Sequence, residues 1–218
     1  MIRKLWPGIL LNVIAFGFGM KMLPQLPERV ASHWDAHGHV NGWMSRGSLV
    51  VMVPIVALVM AAVLSIAPRL DPKRRNFPLH AGSYWVVTNA VLAFLAAVQV
   101  LIIGYNLGWK FDFASLLGLG LGLLFILLGN VLTRVRPNWI FGIRTPWTLS
   151  SDRSWRETHR VGGYAMVVTG ILGVLAAFMM PRIATQIVMV GVAASALLSI
   201  VWSYFVWKND PEAVGRDA

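Results

Sequence analysis

The sequence predicts an all-α integral membrane protein: a bundle of six transmembrane helices, both termini in the cytoplasm, with a short cytoplasmic amphipathic helix before the fifth span. Three observations carry this expectation. Of 218 residues, 57% are hydrophobic and only 13% charged, against about 25% charged in a soluble domain. Six apolar runs of about 20 residues recur, each matching the ~30 Å hydrocarbon core when helical. Lys and Arg concentrate in alternate connections, which orients the chain.

The first run is Leu5–Leu23, behind the basic start MIRK. It is too long for a signal-peptide core and is followed by PQLPERV rather than a small-residue cleavage site, so it is expected to be retained. The others are Ser48–Ala67, Tyr84–Ile103, Phe113–Leu132, Val161–Met180 and Ala184–Val206. In lipid every backbone group must bond internally, which makes these runs helices. The last five contain no Lys, Arg, Asp or Glu. The first has only Lys21, near its end, where it can snorkel. Polar side chains within the spans (Asn12, Thr88, Asn89, Gln99, Asn130, Gln186, Ser195, Ser199) read as interhelical hydrogen-bonding groups. Gly118 and Gly122 form a GxxxG flanked by Gly120, a signature of close helix packing.

One set of connections holds Arg3 and Lys4; Arg69, Lys73, Arg74 and Arg75; Arg134, Arg136, Arg144, Arg153, Arg156 and Arg160; and Lys208 and Arg216. The other holds only Lys21, Arg29, Arg46, Lys110 and Arg182. The excess places both termini and segment 133–160 inside, and loop 24–47 outside. The net charge of +10 is then explained by loops facing anionic headgroups, and no direct nucleic-acid binding is expected. With no cysteine, disulfides, thiolate metal sites and cysteine nucleophiles are excluded. The lack of an acid or base inside the spans argues against a proton relay, and no cofactor motif is present.

The external loop carries His33, Trp34, Asp35, His37, Gly38, His39 and Trp43. His33 and His37 would share a face of a helical turn, and with Asp35 and His39 they form a weak candidate for a zinc-type ion. Gly38 breaks any helix there, and no HExxH is present. The simpler expectation is local hydrogen bonding in a compact interfacial loop, with Trp34 and Trp43 at headgroup level.

The internal segment is the main candidate functional region. Pro137, Gly142 and Pro146 forbid a continuous helix, yet Trp139, Ile140, Phe141, Ile143 and Trp147 are too apolar for a solvated loop. Such backbone must be buried in protein or line a wet cavity. Arg144, in its middle, needs a phosphate, a carbonyl or a carboxylate as partner. Ser150 or Ser151 can cap the following helix, helped by Asp152 in its first turn. Over 152–163, Trp155, Thr158, His159 and Gly162 share one helical face, expected to turn inward. Arg153, Arg156 and Arg160 share the other, expected to meet solvent or lipid phosphate.

This segment resembles the SdpI-type immunity family of bacterial membrane proteins. The matching residues are Gly129-Asn130, Pro137-Asn138, GIRTPWTLS from Gly142 to Ser150 (with Arg144, Thr145, Pro146 and Trp147), Trp155, and Thr158-His159-Arg160 followed by Gly162-Gly163. Loop 24–47 is similar to a short module often found at the N-terminus of that family, through Leu23-Pro24 or Leu26-Pro27, His33, Gly38, Gly42 and Trp43. The resulting organisation is a two-span module (1–67), a linker loop and third span (68–112), an SdpI-like region (113–206) and a cytoplasmic tail (207–218). The resemblance implies a non-enzymatic, multi-pass protein of the bacterial cytoplasmic membrane that gives resistance to a secreted toxic peptide. It also implies signalling, by drawing a small cytosolic DNA-binding repressor to the membrane. Two other readings stand beside it: a transporter or lipid-binding exporter with Asn89, Gln99 and Asn130 along its path, and a metal-dependent membrane hydrolase.

Overall fold

Six helices of the computed structural model, in which residues 4–35 and 38–214 are described, are long and apolar enough to cross a membrane. The chain is a multi-pass membrane protein. In order it forms α1 (Trp6–Met22), β1 (Arg29–Trp34), β2 (Val40–Ser45), α2 (Arg46–Leu70), α3 (Phe77–Asn106), α4 (Phe113–Leu132), α5 (Pro146–Ser150), α6 (Asp152–Met179), α7 (Ala184–Lys208) and α8 (Pro211–Val214).

α1, α2 and α3 pack as one group and α4, α6 and α7 as another, joined where α3 meets α4. Backbone approach holds the second group together. A Cβ on Gly122 would stand 2.8 Å from the Gly170 carbonyl, and one on Gly163 2.7 Å from the Gly129 carbonyl. The two pairs are seven residues apart on each helix and run in opposite directions, so α4 and α6 meet along one antiparallel glycine seam at heptad spacing. Of the GxxxG, Gly122 faces α6, Gly118 faces Ala184 at the start of α7, and Gly120 faces Phe94 of α3. Gly129→Ala therefore drives a methyl into the α6 backbone. We expect it to cost about 1–3 kcal/mol, read from thermal unfolding in detergent.

Polar groups stitch the first group. Asn12 donates to the Leu92 carbonyl (2.8 Å), Asn89 accepts from the Gly8 amide (2.9 Å) and donates to the Lys4 carbonyl, and Gln99 donates to the Val50 carbonyl (2.9 Å). Asn89 and Gln99 thus serve helix packing. Thr88 and Ser199 bond to carbonyls of their own helices, while Ser195 also meets Thr169 of α6.

The external segment expected to be a compact interfacial loop is a β-hairpin, among the described residues the one departure from an all-α chain. β1 and β2 pair antiparallel, Val30 opposite Met44 and Ala31 opposite Trp43, with irregular register around His33. A helical turn placing His33 beside His37 is therefore ruled out, because His33 lies in a strand; His37 itself lies outside the described residues. Asn106, at the end of α3, docks the hairpin as a strand would. Its side chain accepts from the Ala31 amide (2.7 Å) and donates to the Ala31 carbonyl (3.0 Å).

Two further boundaries differ from the sequence expectation. The amphipathic stretch from Asp152 is not a separate helix but the first turns of α6, which runs unbroken for 28 residues. α3 starts at Phe77, well before the apolar run, with Pro78 in its first turn, where a missing amide costs nothing.

Candidate functional site

Residues 133–151 close one end of the bundle, opposite the hairpin, and their backbone lacks regular structure up to Thr145. Side chains replace the missing ladder. Asn138, buried, accepts from the Ile140 and Phe141 amides (2.8 and 2.6 Å) and donates to the Arg136 and Phe141 carbonyls (2.8 and 2.9 Å). Asp71 accepts from the Trp139 amide (3.1 Å), and Asn76 donates to the Pro137 carbonyl (2.8 Å). Arg144 donates to the Trp139 carbonyl. Its partner is thus an irregular-segment carbonyl, and its side chain is otherwise at the surface. Side chains thus satisfy several backbone groups that a helix or sheet would otherwise pair.

The apolar residues of the segment are wedged into the bundle. Ile140 and Phe141 join the core around Tyr84, Trp85 and Ala61, with Phe141 edge-on to Tyr84 at 5.8 Å. Trp147 packs edge-on to Tyr204 of α7 at 5.2 Å.

At Thr145 the chain becomes helical again. Thr145 caps α5, Pro146 occupies its first turn, and Thr145 and Thr148 form a reciprocal capping box. Thr145 also bonds Ser203 of α7 (3.0 Å). Ser151, not Ser150, caps α6, and its hydroxyl donates to the buried Asp210 carboxylate (2.5 Å). Ser154 donates to the Ser203 carbonyl (2.8 Å). The segment is thereby clamped between the α2–α3 connection and the end of α7.

Its pivot is the pair Trp155 and His159. Trp155 is fully buried, donates to the Val135 carbonyl (2.8 Å) and stacks on His159 with centroids 4.1 Å apart. His159 Nδ1 bonds the Trp155 carbonyl (2.8 Å), while Nε2 accepts from the Ile143 amide (3.0 Å). A nitrogen that accepts an amide proton carries none itself, so the imidazole is neutral with Nδ1 as donor. Both nitrogens are occupied by backbone, which makes His159 a structural histidine. Gly142 lies against it with φ +121°, and a Cβ there would overlap Nε2. Gly162 leaves room for Ile143 and Ser199. Thr158 is fully buried, with its hydroxyl unpartnered among the described residues.

The opposite face of α6 is exposed and cationic. Arg153 donates to the Asn209 carbonyl (3.1 Å), and Arg160 pairs with Glu157 at 2.8 Å. Arg156 and Arg160 line a cleft of about 940 Å³ between α6 and the end of α4, together with Asn130, Arg134 and Arg136.

The hairpin residues lie at the other end. His33 Nδ1 meets the Asn41 side chain across the strands (2.5 Å), and Asp35 accepts from the His39 amide (2.9 Å) and pairs with its ring at 3.3 Å. Among the described residues no three His, Cys, Asp or Glu side chains gather as a metal site. Gly38 takes φ +82° in the turn, and Gly42 admits His33, whose Cβ would stand 2.7 Å from an added one. Trp43 is exposed. Trp34 is half-buried: it stacks on Phe113 at 4.0 Å and meets Tyr105 edge-on at 5.1 Å. The aromatic pocket formed by α3 and α4 draws it inward.

Sequence reasoning had not singled out Asp71, Asn76, Ser203 or Asp210. A readable signal existed for two of them. Asp71 and Asp210 each precede a proline; Asp71 directly follows α2 and Asp210 lies two residues past the end of α7.

Residues 134–206 match a model of the SdpI/YfhL protein family, and residues 10–58 match a domain of unknown function (DUF1648). Over 202 residues the chain is 23% identical to Immunity protein SdpI of Bacillus subtilis (strain 168), covering 93% of this chain and 95% of that protein. No solved structure matches.

Proposed function

We propose, for a chain whose C-terminal region belongs to the SdpI/YfhL protein family, that it is a non-enzymatic immunity protein of the bacterial cytoplasmic membrane, protecting its cell from a secreted toxic peptide. The observation that carries this reading is the similarity to an immunity protein along nearly the whole of both chains. The end bearing segment 133–151 faces the cytoplasm in this reading, following the excess of Lys and Arg there. The hairpin, with His33, Asp35 and Trp43, faces the medium from which a peptide arrives. The basic, Trp-rich segment with exposed Arg144 and Trp139 offers a surface for a small cytosolic DNA-binding repressor, which the membrane-bound protein holds away from its operator.

The test is survival. Cells that are sensitive to a secreted toxic peptide because their own immunity protein is deleted should grow when they express this chain. Arg144→Ala should abolish that growth at unchanged membrane abundance, because it frees the Trp139 carbonyl and removes the one cation displayed by the segment's centre. Growth of the Arg144→Ala cells equal to wild type would remove segment 133–151 from the protective role, and death of the wild-type-expressing cells would end the immunity reading.

A further inference from the structure

The cleft between the end of α4 and the first half of α6 is divided chemically. One part holds the guanidinium groups of Arg134, Arg136 and Arg156, none of which has a carboxylate or hydrogen-bond partner for its side chain among the described residues. The cleft's one acid, Glu157, is taken by Arg160. Asn130 adds an exposed amide, likewise without a side-chain partner among the described residues, on a helix that has no charged side chain. The other part is formed by Leu79, Tyr164 and Val167. Leu79 and Tyr164 are strongly exposed on the outer surface of the bundle, where acyl chains run.

We propose that this cleft seats the phosphate of an anionic phospholipid from the leaflet at the arginine-bearing end. Guanidinium groups match phosphate oxygens as paired donors, and the Asn130 amide supplies a further donor. The apolar wall receives the glycerol and upper acyl carbons. A volume of about 940 Å³ lies at the upper end of small-ligand pockets, about 300–1,000 Å³, which suits a headgroup and the start of its chains. A soluble phosphate would leave the Leu79 and Tyr164 wall without a ligand surface to cover, which is why the lipid is the better occupant. The proposal stands independently of the protective role.

The full chain, purified in phosphatidylcholine nanodiscs, is titrated with phosphatidylglycerol, and bound lipid is counted by native mass spectrometry while thermal unfolding is followed. One saturable phosphatidylglycerol with a raised unfolding temperature is expected. Arg134→Gln and Arg156→Gln should each weaken it about fivefold, as loss of one cation near an anionic surface does. Asn130→Leu should weaken it with no change of charge. Each variant should unfold like wild type in phosphatidylcholine alone, since these side chains are exposed. Arg75→Gln, which removes a cation exposed at the same end but outside the cleft, should leave binding unchanged. An equal loss with Arg75→Gln would reduce the effect to diffuse surface attraction and overturn the proposal. So would displacement by soluble glycerol phosphate at the lipid's own affinity, or the absence of saturable binding.

Discussion

Trp155→Ala is expected to cost about 3–5 kcal/mol, the range for emptying a buried tryptophan site, and to abolish protection with it. The indole is fully buried on α6 and does three things at once: it fills the space below the segment, satisfies the Val135 carbonyl, and gives His159 a flat surface to stack on. Alanine leaves a cavity, an orphaned carbonyl and an imidazole free to turn away from the Ile143 amide. Trp155→Phe separates these contributions. It keeps most of the volume and the stacking surface and loses the hydrogen bond, so about 1 kcal/mol is expected. Thermal unfolding in detergent of both variants checks the ordering. Equal losses for the two would mean that the hydrogen bond, not packing, is what the segment needs.

Gly142→Ala is expected to be nearly as damaging, about 3 kcal/mol, although it adds a single methyl. Two costs combine. A φ of +121° is strained for alanine, at about 1–3 kcal/mol, and the new Cβ overlaps His159 Nε2, an overpacking of similar size. The second cost depends on the imidazole and the first does not. In a His159→Ala background the same glycine substitution should therefore cost less, by the 0.5–3 kcal/mol typical of contacting residues. Strict additivity would show that the glycine is required for its backbone alone.

How much of this arrangement could be read from the sequence follows from the range of the forces involved. The spans were legible because burial in lipid depends on composition over about 20 residues, a local property. The inward face of α6 was legible from helical periodicity, since Trp155, Thr158 and His159 fall within one turn. The Thr145–Pro146 start of α5 was legible in principle, as an N-cap residue before a proline, but was masked by the expectation of a loop. The hairpin was hidden because its alternation is interrupted at His33 and Gly42, where the pairing is irregular. The unity of α6 was hidden because its first turns are charged and the apolar run begins only at Val161. Gly162 and Gly163, at that junction, serve close approach, Gly162 to Ile143 and Ser199, and Gly163 to Gly129. The clamps from Asp71, Asn76, Ser203 and Asp210 join residues 49–68 positions apart. No spacing rule within one element can reveal partners at that distance.

The account divides the molecule by side: the hairpin toward the medium, the arginine-bearing segment and its cleft toward the cytoplasm. The chain has no cysteine, so single cysteines report sidedness without background. His39→Cys, at an exposed position of the hairpin, and Ser150→Cys, at the exposed last position of α5, are treated in intact cells with a membrane-impermeant maleimide. The account predicts labelling of the cysteine at position 39 at once, and of that at position 150 only after the cells are opened. Labelling of position 150 in intact cells with position 39 protected would contradict it.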